Sequence, residues 1–398
     1  MNRNRLIIYV LSLLVGVISG TIAALFGIVL LKITAFREIN YIYLLPFLSL
    51  IGLFIVYLYN KIGGVKGMGD VFRAAKSENY KLSLFMVPFV IITTWITHLF
   101  GGSAGREGVS VQIGAVVGYN VGEKFNSSKF SHILLISGMA AGFSGLFQTP
   151  IAAIFFALEV LSLSYFRYYA LIPTIIASLS SYATSRFIGL EKFSVDLSVT
   201  YELDYVFLLK LLVLGVCFGF IGKLFAELLC YFSGFFKDIF KSNYKKIFFI
   251  GLFVSLFSIF IHSGRYSGLG TNLISSSFYG GKIYFYDWIL KLLFTVITIA
   301  AGFQGGEVTP LFSIGASFGL FFSSFLGLPI MLGAALGYAA VFSSSTKTLL
   351  APIFIGAEVF GFEYIPIFAL VCSISYVVSG KSTIYNEQDF SFIDMQKL

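Results

Sequence analysis

"GMAAGFSGLFQTPIAAIFFALEV", residues 138–160, recurs without a gap as "GYAAVFSSSTKTLLAPIFIGAEV", residues 337–359. The two stretches are identical at 11 of 23 positions, at an offset of 199 residues. Similarity at a fixed offset indicates a duplicated structural unit. We therefore predict two repeats, residues 1–200 and 201–385, followed by a short tail, residues 386–398.

The composition is that of a membrane protein. Of 398 residues, 58% are hydrophobic and only 12% are charged, with 46 Phe and 23 Tyr. A soluble domain carries about 25% charged residues. The net charge of +8 is spread along the chain, so we expect no nucleic-acid partner. The three cysteines are scattered, which predicts neither a disulfide framework nor a metal site. We predict an all-α polytopic membrane protein without a cofactor.

The apolar segments differ in length. Those long enough to cross a bilayer are 6–31, 42–60, 207–233 and 247–262. Glycines divide others into pieces that we expect to be too short, namely 101–122, 132–147, 301–320 and 330–345. Interrupted helices are tolerated in a membrane where protein or a water-filled cavity shields the backbone. This pattern favours a channel or a transporter.

Glycine-rich motifs predict four helix starts. "GGVKGMGDVF" begins at residue 63, "GREGVSVQIGAVVG" at 105, "GRYSGLGTNLI" at 264 and "GEVTPLFSIGASFG" at 306. The predicted starts are near Met68, Glu107, Gly270 and Val308. Each helix N-terminus offers unpaired N–H groups and about half a positive charge. Several of them directed at one point form an anion site without a fixed cation.

Glu107 is the predicted functional charge of this region, since charged residues inside a membrane are costly and usually functional. A carboxylate beside an anion site competes with the anion for the same donors. Once protonated it loses that attraction, so proton and anion movement become linked. We expect Arg106 to point to the other side and to form a structural pair.

Three motifs carry a resemblance to a known family. "GREGVSVQIGA" (105–115), the segment 138–160 and "SGKSTIY" (379–385) resemble the CLC family of anion channels and proton-coupled antiporters. The resemblance implies an inverted-repeat homodimer of tilted and broken helices, with one anion pathway per subunit. It also implies that the anion binds at converging helix N-termini, that Glu107 is the gating glutamate and that Tyr385 closes the anion path. We expect no cytoplasmic nucleotide-binding domains.

The departures from the chloride-type pattern resemble the fluoride-exporting subfamily. Met68 stands where chloride-type members carry a serine, Val109 replaces a proline, and "GEVTP" (306–310) places Glu307 at a normally apolar position. Val160 stands where the antiporters carry an inner proton-transfer glutamate. The resemblance therefore implies a fluoride/proton antiporter.

The predicted site combines anion ligands and proton carriers. Fluoride is a strong hydrogen-bond acceptor, and backbone N–H groups with the Thr309 hydroxyl suit it. Two carboxylates in a low-dielectric site cannot easily both be ionised, so Glu107 and Glu307 are predicted to hold a proton near neutral pH. The predicted anion-binding residues are Met68, Gly108, Val109, Val308, Thr309 and Tyr385.

The function implied by the resemblance is fluoride export driven by protons, conferring fluoride resistance. The predicted location is the bacterial plasma membrane, and the predicted partners are fluoride, protons, the lipid bilayer and a second copy of the chain. A chloride-type exchanger or channel is the alternative, against which Met68 and Glu307 argue. An intramembrane serine protease is a third reading, because "GFSG" (142–145) fits G-x-S-G with Ser144 as nucleophile. The partial recurrence of that motif at Ser343 favours helix packing instead. Glu159 and Glu358, at matching positions, are expected to form structural hydrogen bonds at helix ends.

Overall fold

A computed structural model describes residues 3–62, 67–77, 80–125, 128–161, 168–201 and 204–388. These residues form α-helices and short 3-10 turns, with no β-strand among them, which confirms the predicted all-α class. In the first half the helices are α1 Arg3–Leu44, α2 Leu48–Ile62, α3 Met68–Lys76, α4 Met86–Leu99, α5 Glu107–Glu123, α6 Ser128–Phe147, α7 Pro150–Glu159 and α8 Leu171–Ile188. In the second half they are α9 Tyr205–Ile239, α10 Asn243–Phe260, α11 Thr271–Phe278, α12 Asp287–Ala301, α13 Val308–Leu326, α14 Ile330–Thr346, α15 Leu350–Phe360 and α16 Ile365–Val378.

Helices long and apolar enough to cross a membrane occur in both halves. Among the described residues they are Arg3–Lys61, Ser128–Phe147, Tyr205–Ile239, Asn243–Phe260 and Val308–Leu326. Other apolar helices are shorter, such as α7 with 10 residues and α15 with 11. A short helix cannot span about 30 Å of hydrocarbon by itself, so it must be shielded by protein.

The prediction that glycines interrupt all four short segments is wrong for two of them. α6 runs without a break through 132–147, and α14 runs through 330–345. Glycines there bring helices together: a Cβ at Gly114 of α5 would lie 2.0 Å from the carbonyl oxygen of Gly138 of α6. In the second half, a Cβ at Gly315 would lie 2.0 Å from the carbonyl oxygen of Gly337. Small residues allow this close backbone approach between membrane helices.

The true interruptions lie just before α5 and α13. α4 ends at Leu99 and α5 begins at Glu107, while α12 ends at Ala301 and α13 begins at Val308. Each interruption is followed by helices in the same order, α5 to α8 and α13 to α16. The division into residues 1–200 and 201–385 stays a prediction, and residues 389–398 of the predicted tail lie outside the described residues.

Candidate functional site

The sequence-predicted helix starts are present. α3, α5 and α13 begin at Met68, Glu107 and Val308, and α11 begins at Thr271, directly after Gly270. Met68 of α3, Gly108 of α5 and Glu307, the N-cap of α13, line one cavity, whereas none of the residues lining it in the described chain belongs to α11. At Gly270 an added Cβ would instead lie 2.6 Å from the Ser313 hydroxyl on α13. Of the four predicted helix starts, three therefore meet at the cavity.

A backbone bridge places the starts of α5 and α13 side by side. The N–H of Gly105 donates to the carbonyl of Gly306 at 2.5 Å, and the N–H of Gly306 donates to the carbonyl of Gly105 at 2.8 Å. A Cβ at Gly306 would lie 3.0 Å from the backbone nitrogen of Gly108, so a larger residue at position 306 would push the two backbone segments apart.

The Glu107 carboxylate occupies the N-terminus of α13. Its side chain is 1% exposed. Its Oε2 accepts from the backbone N–H of Thr309 at 3.1 Å, and the Thr309 hydroxyl donates to the same oxygen. The negative charge thus lies at the positive end of a helix dipole from the other half of the chain.

The expectation that Arg106 points away from Glu107 is wrong. Arg106 Nε lies 3.5 Å from Glu107 Oε1, and the Arg106 backbone N–H donates to Oε2 at 3.3 Å. The guanidinium therefore supplies part of the positive potential that holds the buried carboxylate.

A cavity of about 700 Å³ lies beside this pair. Met68, Gly108, Val109, Glu307 and Tyr385, all predicted site residues, contribute to its lining. Glu107, Val308 and Thr309 are buried behind that lining. The predicted site therefore has an accessible part, which faces the cavity, and a closed part, where the carboxylate binds the donors of α13.

Glu307 and Tyr385 face the cavity differently. A Cβ at Gly108 would lie 3.6 Å from Glu307 Oε2, so this carboxylate lies against the first turn of α5. In the described part of the chain Glu307 has no ion-pair partner. Tyr385 is 5% exposed, its ring centroid lies 5.3 Å from that of Phe72, and its hydroxyl finds no hydrogen-bond partner among the described residues.

Several polar residues of the cavity were missed in the sequence. Gln112, Arg73 and Lys246 contribute to its lining. Gln112 follows Gly108 by one helical turn and so lies on the same face of α5. That spacing was a signal in the sequence, and Arg73 follows Gly69 of α3 in the same way, whereas Lys246 reaches the cavity only through the tertiary fold.

A buried lysine holds the loop that precedes Glu107. Lys291 of α12 is fully buried and donates to the Ser103 hydroxyl at 2.9 Å and to the carbonyls of Gly268 at 2.6 Å and Tyr266 at 3.2 Å. The next residue of the loop, Ala104, donates its N–H to the same Gly268 carbonyl at 3.2 Å. These bonds fix the backbone that leads into α5.

Glu159 and Glu358 form the predicted structural hydrogen bonds. Glu159, the last residue of α7, accepts from the N–H of Leu350 at 2.9 Å, at the start of α15. Glu358 accepts from the N–H of Ala152 at 2.8 Å, at the start of α7. Each glutamate therefore caps the helix on which the other resides.

The protease reading has no structural support at Ser144. This serine is fully buried, and its hydroxyl donates to the Ser178 carbonyl at 2.8 Å. The hydroxyl thus joins α6 to α8, as the packing interpretation predicts.

Comparison with known proteins shows that this chain is similar to anion channels and transporters. The sequence profile described as "Voltage gated chloride channel" matches residues 49–380. A "Chloride/fluoride channel protein" of Pseudomonas syringae pv. tomato is 33% identical over 386 residues, which are 94% of this chain and 84% of that protein. An "H(+)/Cl(-) exchange transporter ClcA" of Yersinia pestis bv. Antiqua is 25% identical over 390 residues, 90% of this chain and 81% of that protein.

Solved structures agree with the sequence relatives. The crystal structure of a CLC-type fluoride/proton antiporter is 47% identical, covers 98% of this chain and 99% of its own, and has a TM-score of 0.96. A slow cyanobacterial Cl-/H+ antiporter is 20% identical with a TM-score of 0.82, covering 95% of this chain and 96% of its own, and so shares the fold.

Proposed function

This chain belongs to the CLC family of voltage gated chloride channels, and we propose that it is a fluoride/proton antiporter that exports fluoride from the cell. It is a multi-pass membrane transporter and not an enzyme. Two similarities support the choice of ions. They are the 47% identity to a solved fluoride/proton antiporter and the 33% identity to a protein named for chloride and fluoride.

One observation carries the proposal: the Glu107 carboxylate binds the N–H and the hydroxyl of Thr309. These are the donors that a small desolvated anion would use. A fluoride ion arriving at the start of α13 competes with the carboxylate for them. Protonation removes the negative charge of Glu107 and weakens its hold, so the anion takes the place of the carboxylate at Thr309 while the carboxyl group carries the proton.

Fluoride suits this set of donors. It is small and accepts hydrogen bonds strongly, and backbone N–H groups and hydroxyls bind it without a full charge that would hinder its release. We assign the anion path to Met68, Gly108, Val109, Val308, Thr309 and Tyr385. The lining of the cavity supports this assignment, because it includes Met68, Gly108, Val109 and Tyr385.

Glu307 is proposed as the second proton carrier. It faces the cavity against Gly108, the residue that follows Glu107. A proton taken from the cavity by Glu307 is therefore held next to the gating glutamate. Glu307 thereby performs the inner proton transfer. In this chain Val160 has no carboxylate that could perform it.

The assembly is proposed from membership of the family. We propose that the chain acts as a homodimer with one pathway per subunit. We also propose that residues 1–200 and 201–385 are inverted repeats, and that the protein resides in a bacterial plasma membrane, where export confers fluoride resistance. The reciprocal bonds of Glu159 and Glu358 support the repeat.

Fluoride efflux from reconstituted liposomes tests the proposal. A fluoride electrode follows release from vesicles loaded with fluoride, with and without an imposed proton gradient, and a pH electrode follows the protons. We expect fluoride release to drive proton uptake, with chloride released far more slowly. Equal rates for both halides would favour the chloride-type exchanger instead, and fluoride release without proton movement would identify a channel.

A further inference from the structure

We propose that the side-chain amide of Gln112 is an additional halide ligand of the cavity and contributes to the selectivity for fluoride. This inference rests on the proposed transport function. It adds a donor that lies outside the helix N-termini and the tyrosine.

The burial of Gln112 is the first observation. The residue is 1% exposed, and its amide nitrogen finds no hydrogen-bond acceptor among the described residues. A buried unpaired N–H is costly and rare in a folded protein. By contrast, Asn120 on the same helix donates its amide to the carbonyls of Leu82 at 2.9 Å and Val116 at 2.8 Å. The described chain supplies no acceptor for the Gln112 amide, so we infer that a bound ligand is the acceptor.

The position of Gln112 indicates what that acceptor is. Gln112 lines the cavity together with Gly108, one helical turn earlier, and with Tyr385, whose buried hydroxyl also has no hydrogen-bond partner among the described residues. Two buried donors without partners in the described part of the chain therefore border one cavity. The lining contains two cationic side chains, Arg73 and Lys246, and two carboxylates, Glu307 and Glu387, so the unpaired neutral donors and not the net charge indicate an anion in the cavity.

Neutral donors also explain how the anion leaves. An amide N–H binds an anion without the charge that would trap it. Fluoride is the smallest halide and the strongest acceptor, so the loss of an N–H donor weakens fluoride binding more than chloride binding. Gln112 is therefore expected to affect selectivity as well as affinity.

The test compares Gln112→Met with the parent protein. Methionine keeps the length of the side chain and removes the amide. Sodium fluoride and sodium chloride are titrated calorimetrically into purified protein, and halide efflux is measured from liposomes. We expect fluoride affinity to fall about tenfold, as for loss of a hydrogen bond to a charged partner, and chloride affinity to change less.

Asn120→Leu is the matched control. It removes an amide from the same helix whose donor is already satisfied by carbonyls, so we expect a lower melting temperature and unchanged fluoride affinity. If Gln112→Met does not fold, Gln112→Glu decides, because a carboxylate of the same shape repels the anion and weakens fluoride binding at pH 8.

The outcomes separate the two proposals. A parent protein that neither binds nor exports fluoride would defeat the proposed function, whatever Gln112 does. A parent protein that exports fluoride, with a folded Gln112→Met variant of equal affinity, rate and selectivity, would overturn the role of Gln112. An equal loss of fluoride binding in Asn120→Leu would assign the effect to the structure of α5 and also overturn it.

Discussion

The backbone N–H of Thr309 donates to Oε2 of Glu107 at 3.1 Å, between residues separated by 202 positions in the chain. The Thr309 hydroxyl donates to the same oxygen. The first turn of α13 therefore already binds an anion, and that anion is a side chain of the other half. Competition between this carboxylate and a halide is the basis of the predictions below.

Thr309→Val removes the hydroxyl and keeps the shape of the side chain. Since a hydrogen bond to a charged group is worth about 1.5–3 kcal/mol, we expect fluoride exchange to fall about tenfold or more. Efflux from liposomes measures it. Thr309→Ser restores the donor and should recover most of the rate. A Thr309→Val rate equal to that of the parent protein would exclude the hydroxyl from the path.

Glu307→Gln removes the cavity-facing carboxylate. Because this residue is proposed to pass protons to Glu107, we expect proton uptake per fluoride to fall severalfold while fluoride binding is retained. Simultaneous pH and fluoride electrodes give the ratio. Glu363→Gln, at an exposed position, is the control and should keep the parent ratio. An unchanged ratio in Glu307→Gln would remove this residue from the proton path.

Glu159→Gln and Glu358→Gln are expected to affect stability. Each carboxylate accepts backbone N–H groups at a helix start, and loss of such a cap costs about 0.5–2 kcal/mol. Thermal melting in detergent should report lower Tm values for both variants. The proton-to-fluoride ratio should stay constant. A changed ratio at unchanged Tm would assign a transport role to these residues.

Lys291→Met tests the support of the loop before α5. The substitution leaves the Ser103 hydroxyl and the Gly268 carbonyl without the ammonium donor. Because a hydrogen bond from a charged donor contributes about 1.5–3 kcal/mol, we expect a lower Tm and slower fluoride exchange. Lys223→Met, at a surface ion pair, should change stability by less than about 1 kcal/mol. Equal Tm values for the two variants would contradict the supporting role of Lys291.

The sequence was sufficient for the fold class, the family and the helix starts. Glycine motifs placed the starts of α3, α5 and α13 correctly, because a glycine-rich interruption is a local signal. Glycine led to a wrong prediction of an interruption at Gly138, which lies within α6. Whether a glycine interrupts a helix or packs against a neighbour depends on the facing backbone, here that of Gly114.

The contacts within the site could not be read from the sequence. Glu107 was predicted from its cost in a membrane, but its donor Thr309 is 202 residues away and is fixed by tertiary structure. The orientation of Arg106 was mispredicted because the interruption before α5 is irregular, so helical spacing does not apply to it. The assignment of the anion and proton ligands stays a prediction.

Glu107→Gln tests the central claim most directly. The variant keeps the size of the side chain but cannot lose or gain a proton. Fluoride and pH electrodes on reconstituted liposomes should record fluoride-driven proton uptake for the parent protein. In the variant, proton uptake should be abolished while fluoride still crosses. Proton uptake by Glu107→Gln at the parent ratio would contradict the exchange of carboxylate and anion at Thr309.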